Sequence, residues 1–221
     1  IPVPARYNPV VRDGIEEGEL PPNNVKGRQP NRGFEGLAIT PDGSTLLAFL
    51  QSPLIQDGGL DDANERIGRF IRVLHLPTTG TADPVEWVYP MRSAQFGTNE
   101  LLHWTGRTYL AIERDNKEGD KAKAKRVIAA DFSRATNVAA LPELPSLKLP
   151  PEIVPAEVST LIDLLDPSYG LNTPSAPMPA KVEGLAWGPK LPDGRRVLIV
   201  TTDNDFKHEE PSYLWIFAVR E

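Results

Sequence analysis

The run Phe34-Glu35-Gly36-Leu37-Ala38-Ile39, followed by Thr40-Pro41-Asp42-Gly43-Ser44 and Thr45-Leu46-Leu47-Ala48-Phe49-Leu50, decides the fold. Two apolar segments flank a Pro-Asp-Gly turn, in which proline presets the first φ of the turn and glycine accepts a positive φ that other residues resist. A β-hairpin follows from that order. Further on, Phe70-Ile71-Arg72-Val73-Leu74-His75-Leu76 alternates apolar with polar residues, as a half-exposed strand does. A fourth strand is read at Val85-Glu86-Trp87-Val88-Tyr89. Four short strands with no helical stretch between them predict one blade of a β-propeller and its passage into the next.

The decisive stretch recurs. Glu183-Gly184-Leu185-Ala186-Trp187 repeats Glu35-Gly36-Leu37-Ala38-Ile39, the turn Leu191-Pro192-Asp193-Gly194 follows it, and Arg196-Val197-Leu198-Ile199-Val200-Thr201 returns. A weaker middle copy runs through Glu100-Leu101-Leu102-His103-Trp104, Thr105-Gly106-Arg107 and Thr108-Tyr109-Leu110-Ala111-Ile112-Glu113. The predicted fold is therefore all-β, a β-propeller segment over residues 34–221 with blade-like units at about 34–84, 85–140 and 181–221. Residues 1–33 read as a proline-rich connector, and residues 141–180 as a proline-rich insertion. Within the insertion, Val158, Leu161, Ile162 and Leu165 share a face at helical spacing, which predicts one helix at residues 158–165.

Composition agrees with this class. The 23 prolines in 221 residues disfavour helix bundles, because proline lacks the N–H that a helix interior needs. Cysteine is absent, which removes disulfides and thiolate chemistry. A net charge of −6 gives no electrostatic reason to bind nucleic acid or an anionic membrane. No apolar run approaches the roughly 18 residues of a membrane span. The basic run Lys121, Lys123, Lys125 and Arg126 reads as a solvated hairpin tip.

Three blades do not close a ring, which needs roughly four to eight. A companion chain carrying the remaining blades, the N-terminal part of the same precursor, is therefore expected as a partner. The start at Ile1 rather than methionine fits a processed chain.

In a propeller the innermost strand of each blade runs along the central channel, so a glutamate repeated at one point places carboxylates around a single axis. Glu35, Glu100 and Glu183 hold that point. Calcium takes six to eight oxygen ligands, which such a ring supplies; equally, each glutamate could accept backbone N–H groups from the next blade. A second polar cluster lies past the returning strands: Glu113, Arg114, Asp115 and Asn116 in the middle unit, and Asp203, Asn204 and Asp205 in the last. A metal held there could activate water, and Arg114 could clamp an anionic group through two parallel N–H bonds. Asp and Asn are also common turn residues. His75, His103 and His208 are too scattered to form a ligand motif, and no nucleophile elbow or phosphate-binding loop is present.

The stretch Asn31-Arg32-Gly33-Phe34-Glu35-Gly36-Leu37-Ala38, with Pro41-Asp42-Gly43 and Gln51-Ser52-Pro53, resembles the family called esterase-like activity of phytase. Lys181-Val182-Glu183-Gly184-Leu185-Ala186, Asp203-Asn204-Asp205-Phe206 and Glu113-Arg114-Asp115-Asn116 are similar to it as well, so the likeness to the family's C-terminal part spans residues 30–220. The resemblance implies a β-propeller, secreted or periplasmic, that binds calcium and hydrolyses phosphate esters or related small anionic esters with metal-activated water. Glu113, Arg114 and Asp203 are then the candidate catalytic residues. Glu35, Glu100, Glu183, Asp115, Asn116, Asn204 and Asp205 are the candidate calcium ligands. A propeller lactonase and a non-catalytic propeller module with structural calcium are the alternative readings.

Overall fold

A computed structural model describes residues 3–10, 14–79 and 83–220. Among these, all regular structure beyond short 3₁₀ turns is strand, arranged as three antiparallel sheets. The first contains β1 (Phe34–Ile39), β2 (Thr45–Leu50), β3 (Phe70–Pro77) and β4 (Val85–Pro90), in that order across the sheet. The second contains β5 (Gly97–Thr105), β6 (Thr108–Arg114), β7 (Lys125–Asp131) and β8 (Glu157–Asp163), again in chain order. The third contains β9 (Val182–Lys190), β10 (Arg196–Thr202) and β11 (Leu214–Val219), with β10 in the middle.

The turn chemistry read from the sequence is realised in atoms. Asp42 accepts hydrogen bonds from Thr40 Oγ1 (2.6 Å) and from the Ser44 N–H (3.1 Å), and Gly43 sits at φ +69°. Asp193 and Gly194 repeat the arrangement in the third sheet, where Asp193 accepts from the Arg195 N–H at 3.1 Å and Gly194 has φ +86°.

Each of the first strands also carries the same irregularity. Pairing of β1 with β2 slips between Phe34 and Gly36, that of β5 with β6 between Asn99 and Leu101, and that of β9 with β10 between Thr202 and Thr201, opposite Val182 and Gly184. The extra residue is in every case the repeated glutamate: Glu35, Glu100 or Glu183. A bulge leaves its residue outside the ladder and re-aims its side chain.

The sheets stack face to face because successive residues of a strand point to opposite sides. Tyr109 and Ala111 of β6 join a core with Leu47, Phe49, Val73 and Tyr89 of the first sheet. Their neighbours Leu110 and Ile112 join a separate core with Leu185, Leu198 and Val200 of the third. The second sheet is thus buried on both faces, and β1, β5 and β9 lie side by side. Gly36 permits that approach: a Cβ there would lie 2.8 Å from the Glu100 carbonyl carbon and 2.9 Å from the Leu101 nitrogen. The outward faces of the two end sheets are different. Leu37 and Ile39 are 62% and 53% exposed, and Leu214 and Ile216 are 60% and 66% exposed.

Three local expectations are corrected. Residues 158–165 do not form a helix; Glu157–Asp163 is the edge strand β8, paired with β7. The register shifts between Val127↔Ile162 and Ile128↔Thr160, so Leu161 is bulged. One extra residue in an alternating strand produces the three-and-four spacing that imitates a helix, while β-branched Val158, Thr160 and Ile162 favour the strand. Val85–Pro90 closes the first sheet by pairing with β3 instead of opening the second unit. Lys125 is not part of a solvated tip: its buried ammonium donates to Asp115 O (2.8 Å), Asp115 Oδ1 (2.9 Å) and Ala180 O (2.7 Å).

The proline-rich segments cover the first sheet. Tyr7 packs on Phe34, and Val138, Leu144 and Ile153 bury Phe70 and Val88. Under this cover, Arg72 is fully buried and holds Asp57 through two bonds (2.8 and 3.1 Å), Glu86 through one (2.7 Å), and the carbonyls of Val138 and Leu141. Asp57 also accepts from the Leu144 N–H at 2.8 Å. Removing the guanidinium leaves the buried Asp57 carboxylate without its ion pair and Glu86 with only Arg6, 3.6 Å away. Arg72→Met is therefore expected to destabilise the fold by about 3–5 kcal/mol, read as a lowered denaturant midpoint.

Candidate functional site

The bulged ends of the inner strands and the ends of the strands that return beside them open on a common cleft of about 540 Å³. The first sheet and its approach contribute Arg32, Glu35 and Gln51; the second contributes Asn99, Arg114 and Asn116; the third contributes Lys181, Glu183 and Asp203. Glu16, Asn31, Arg66 and Gln95 complete much of the rim from the loops. Among the described residues, no aromatic or aliphatic side chain larger than proline lines it, so a ligand there is held by charge and hydrogen bonds.

Local structure fixes these groups unequally. Arg114 ends β6, and its guanidinium donates to Glu183 Oε1 at 2.5 Å, to the Asp115 carbonyl at 3.3 Å and to Asn116 Oδ1 at 3.4 Å. The Arg114–Glu183 pair therefore ties the second sheet to the third across the cleft. Asp115 anchors the loop behind it, accepting from the N–H groups of Lys117, Lys123 and Ala124 and from the Lys125 ammonium. Although burial acts against its charge, these donors hold the Asp115 carboxyl below its ordinary range. Burial dominates for Lys125, whose pKa falls to about 8 despite the Asp115 partner.

Glu35 lines the cleft without a close ion pair among the described residues. Partial burial and then the neighbouring Glu183 push its pKa up, opposed by Arg114, Arg32 and Lys181. Arg32 is lowered to about 10, first by burial and then by the positive charges of Arg66 and Arg114. Two buried polar atoms on cleft residues, Asn99 Oδ1 and Arg114 Nε, have no hydrogen-bond partner among the described residues. Asn99 is 2% and Arg114 6% exposed, so neither side chain is freely hydrated.

Of the residues singled out in the sequence, Glu35, Arg114, Asn116, Glu183 and Asp203 meet in the cleft. The others lie elsewhere. Glu113, expected in the catalytic set, points from β6 toward the first sheet, where its Oε2 accepts from Tyr89 Oη (3.2 Å) and the Arg92 N–H (3.1 Å); its pKa is raised by burial. Period-2 alternation explains this: neighbours Glu113 and Arg114 take opposite faces of one strand. Glu100 turns back on its own backbone, accepting from the Leu101 N–H at 2.9 Å with φ +55°. Asn204 organises a turn, accepting from the Phe206 N–H and donating to the carbonyls of Lys207 and Glu210. Asp205 is paired with Lys181 at 2.6 Å.

Those engagements bear on calcium, which needs six to eight converging oxygens. Asp115, Asn204, Asp205, Glu183 and Glu100 each have partners that a calcium ion would have to replace. No group of three or more acidic or histidine side chains close enough to hold a metal occurs among the described residues. Of the expected ligands, Glu35, Asn116 and Glu183 reach the one cleft.

Sequence reading missed Asn99, Arg32, Arg66 and Gln51. Asn99 immediately precedes the repeated glutamate of the middle unit, so its neighbourhood was legible. Arg32 lies just ahead of β1 and outside the repeated hairpin, and Arg66 reaches the rim from a loop whose path no periodicity reports.

A family model described as "Phytase-like: Esterase-like activity of phytase" matches residues 1–206. A protein of Arthroderma benhamiae described as an uncharacterized secreted protein is 37% identical over 118 residues. That match covers 47% of this chain and 22% of the fungal protein, so the chain spans only about a fifth of its relative's length. No solved structure matches significantly. No helix among the described residues is long and apolar enough to cross a membrane. The repeated Glu-Gly hairpins, the three all-β sheets and the family match over residues 1–206 place this chain in the phytase-like family, esterase-like activity of phytase.

Proposed function

We propose that the cleft hydrolyses a small anionic ester, with phosphate esters as the leading class. The observation that carries this reading is one polar cleft, in a phytase-like chain, that sets a carboxylate of raised pKa, Glu35, among the guanidinium groups of Arg32 and Arg114. A carboxylate shifted upward is a better proton acceptor once ionised. Guanidinium groups fixed beforehand stabilise charge that grows on phosphoryl oxygens.

In the proposed step, a water oxygen bonds to phosphorus as the bond to the ester oxygen breaks. Glu35 takes the proton released by the water, and the alcohol leaves with a proton from solvent. Arg114, oriented by Glu183 and Asn116, faces the phosphoryl oxygens. The step uses only water and this chain's own side chains.

We further propose that the three sheets are blades of a larger propeller. The second sheet, flanked on both sides, has no exposed apolar face, whereas each end sheet has one, at Leu37 and Ile39 and at Leu214 and Ile216. A further antiparallel sheet with an apolar face, from a companion chain of the same precursor, is the occupant that repeats the packing already present. Covering each such side chain fully is worth about 1.5–3 kcal/mol. Export from the cell follows by analogy with the secreted relative.

Glu35→Gln is expected to lower kcat on a chromogenic phosphate ester by about 10²–10⁴-fold. Because the Glu35 pKa is raised, the acid limb of the wild-type profile should lie above the ordinary glutamate range of about 4.3 and vanish in the variant. Turnover retained in Glu35→Gln, or stimulated by added calcium and abolished by a chelator, would reject this mechanism; absence of turnover in the wild type favours a binding module.

Glu113→Gln should leave turnover unchanged and alter stability instead. A raised carboxyl pKa means that the folded state holds the proton more tightly than the unfolded state. Wild-type stability therefore declines as pH rises from the unfolded to the folded pKa. The variant lacks that decline, so thermal unfolding should show it gaining on the wild type across that window and matching it below.

Native mass spectrometry of the purified protein should recover this chain bound to a companion polypeptide. A well-folded lone chain with both apolar faces exposed would contradict the larger ring.

A further inference from the structure

Two guanidinium groups in the cleft have no carboxylate at ion-pair distance. Arg114 is paired with Glu183, and Lys181 with Asp205. Arg32 donates to the Ser52 hydroxyl at 3.1 Å, and Arg66 has a long 3.4 Å contact with Gln95 Oε1. Neither forms an ion pair among the described residues. Glu35 and Glu16 act on Arg32 only as weaker, more distant charges, and Glu65 is the acid that acts on Arg66.

The position of the two arginines is equally informative. Arg32 precedes β1 by two residues, and Arg66 comes from the loop between β2 and β3, yet both line the same cleft. Both are half-buried, and each is depressed below the ordinary guanidinium range chiefly by burial, with Arg66 the largest charge acting on Arg32. Like charges brought together without an intervening acid are destabilising unless an anion joins them. The fork of an arginine matches the tetrahedral oxygens of a phosphate in a way that a lone ammonium does not.

We propose that Arg32 and Arg66 form an anion subsite at the first-sheet side of the cleft, built for a phosphate group. It rests on the cleft assigned above and names its substrate class: a phosphate monoester, or a molecule with a second phosphate beside the reacting one. Arg114, locked to Glu183, faces the reacting centre, while Arg32 and Arg66 retain the ligand's charge. This division gives phosphate recognition despite equal numbers of acidic and basic residues around the cleft, with Glu16, Glu35, Glu183 and Asp203 against Arg32, Arg66, Arg114 and Lys181.

The test is titration of the purified full-length protein with inorganic phosphate by calorimetry, repeated with acetate. Wild type should bind phosphate in a salt-sensitive manner and acetate more weakly. Arg32→Gln and Arg66→Gln should each weaken phosphate binding about tenfold, and Arg32→Lys less so. Thermal unfolding of each variant establishes that it is folded. Phosphate binding that is absent from the wild type, or unchanged from the wild type in either glutamine variant, overturns the subsite even where the ester is turned over. Binding that depends on both arginines in a protein without ester turnover sustains the subsite and rejects the hydrolytic reading alone.

Discussion

The absence of a side chain at Gly36 sets the geometry of everything around the cleft. With the Leu101 nitrogen 2.9 Å from where a Cβ would stand, β1 lies directly against β5, and β5 in turn meets β9. Strands this close leave little space for large side chains along the line where they meet. The bulges resolve that crowding by putting one unpaired residue, a glutamate, at the same point in each strand. Two of the three, Glu35 and Glu183, consequently reach one cleft from different sheets.

From that arrangement follows a division among the charged residues that composition conceals. Arg72, Asp57 and Glu86 are fully buried and hold the proline-rich cover onto the first sheet. Asp115 and Lys125 do comparable work behind Arg114. Buried pairs like these contribute little net stability over apolar packing but are costly to break, which suits groups that define where a loop must run. At the cleft the balance differs: Glu35, Arg32 and Arg66 keep their charges near solvent and free of close ion pairs. The same residue types are scaffold in one place and ligand-facing in the other, and the difference is the number of local partners.

The two apolar end faces extend the same packing rule. Leu214 and Ile216 alternate along β11 with Trp215 and Phe217, which pack against the core shared with the second sheet. A strand that is apolar on both sides reads as one meant to be covered on both sides. Phe34, Leu37 and Ile39 make β1 the corresponding case at the opposite end.

The all-β class, the hairpins and the family were legible in the sequence, because turn chemistry, alternation and the Glu-Gly repeat are local properties of the chain. So was about a third of the cleft: Glu35, Arg114, Asn116, Glu183 and Asp203 sit on or beside the repeated strands that announce them. Tertiary structure alone decided the rest. Glu113 and Arg114 are adjacent in sequence, yet pleating sends one between sheets and the other into the cleft. The bulge at Leu161 turned a strand into an apparent helix, since one inserted residue changes the period. Arg32 and Arg66 are 34 positions apart, and only the path of the two intervening strands and their loops brings both to one cleft. Spacing reports what one element does with its own residues; which side chains meet across elements depends on packing.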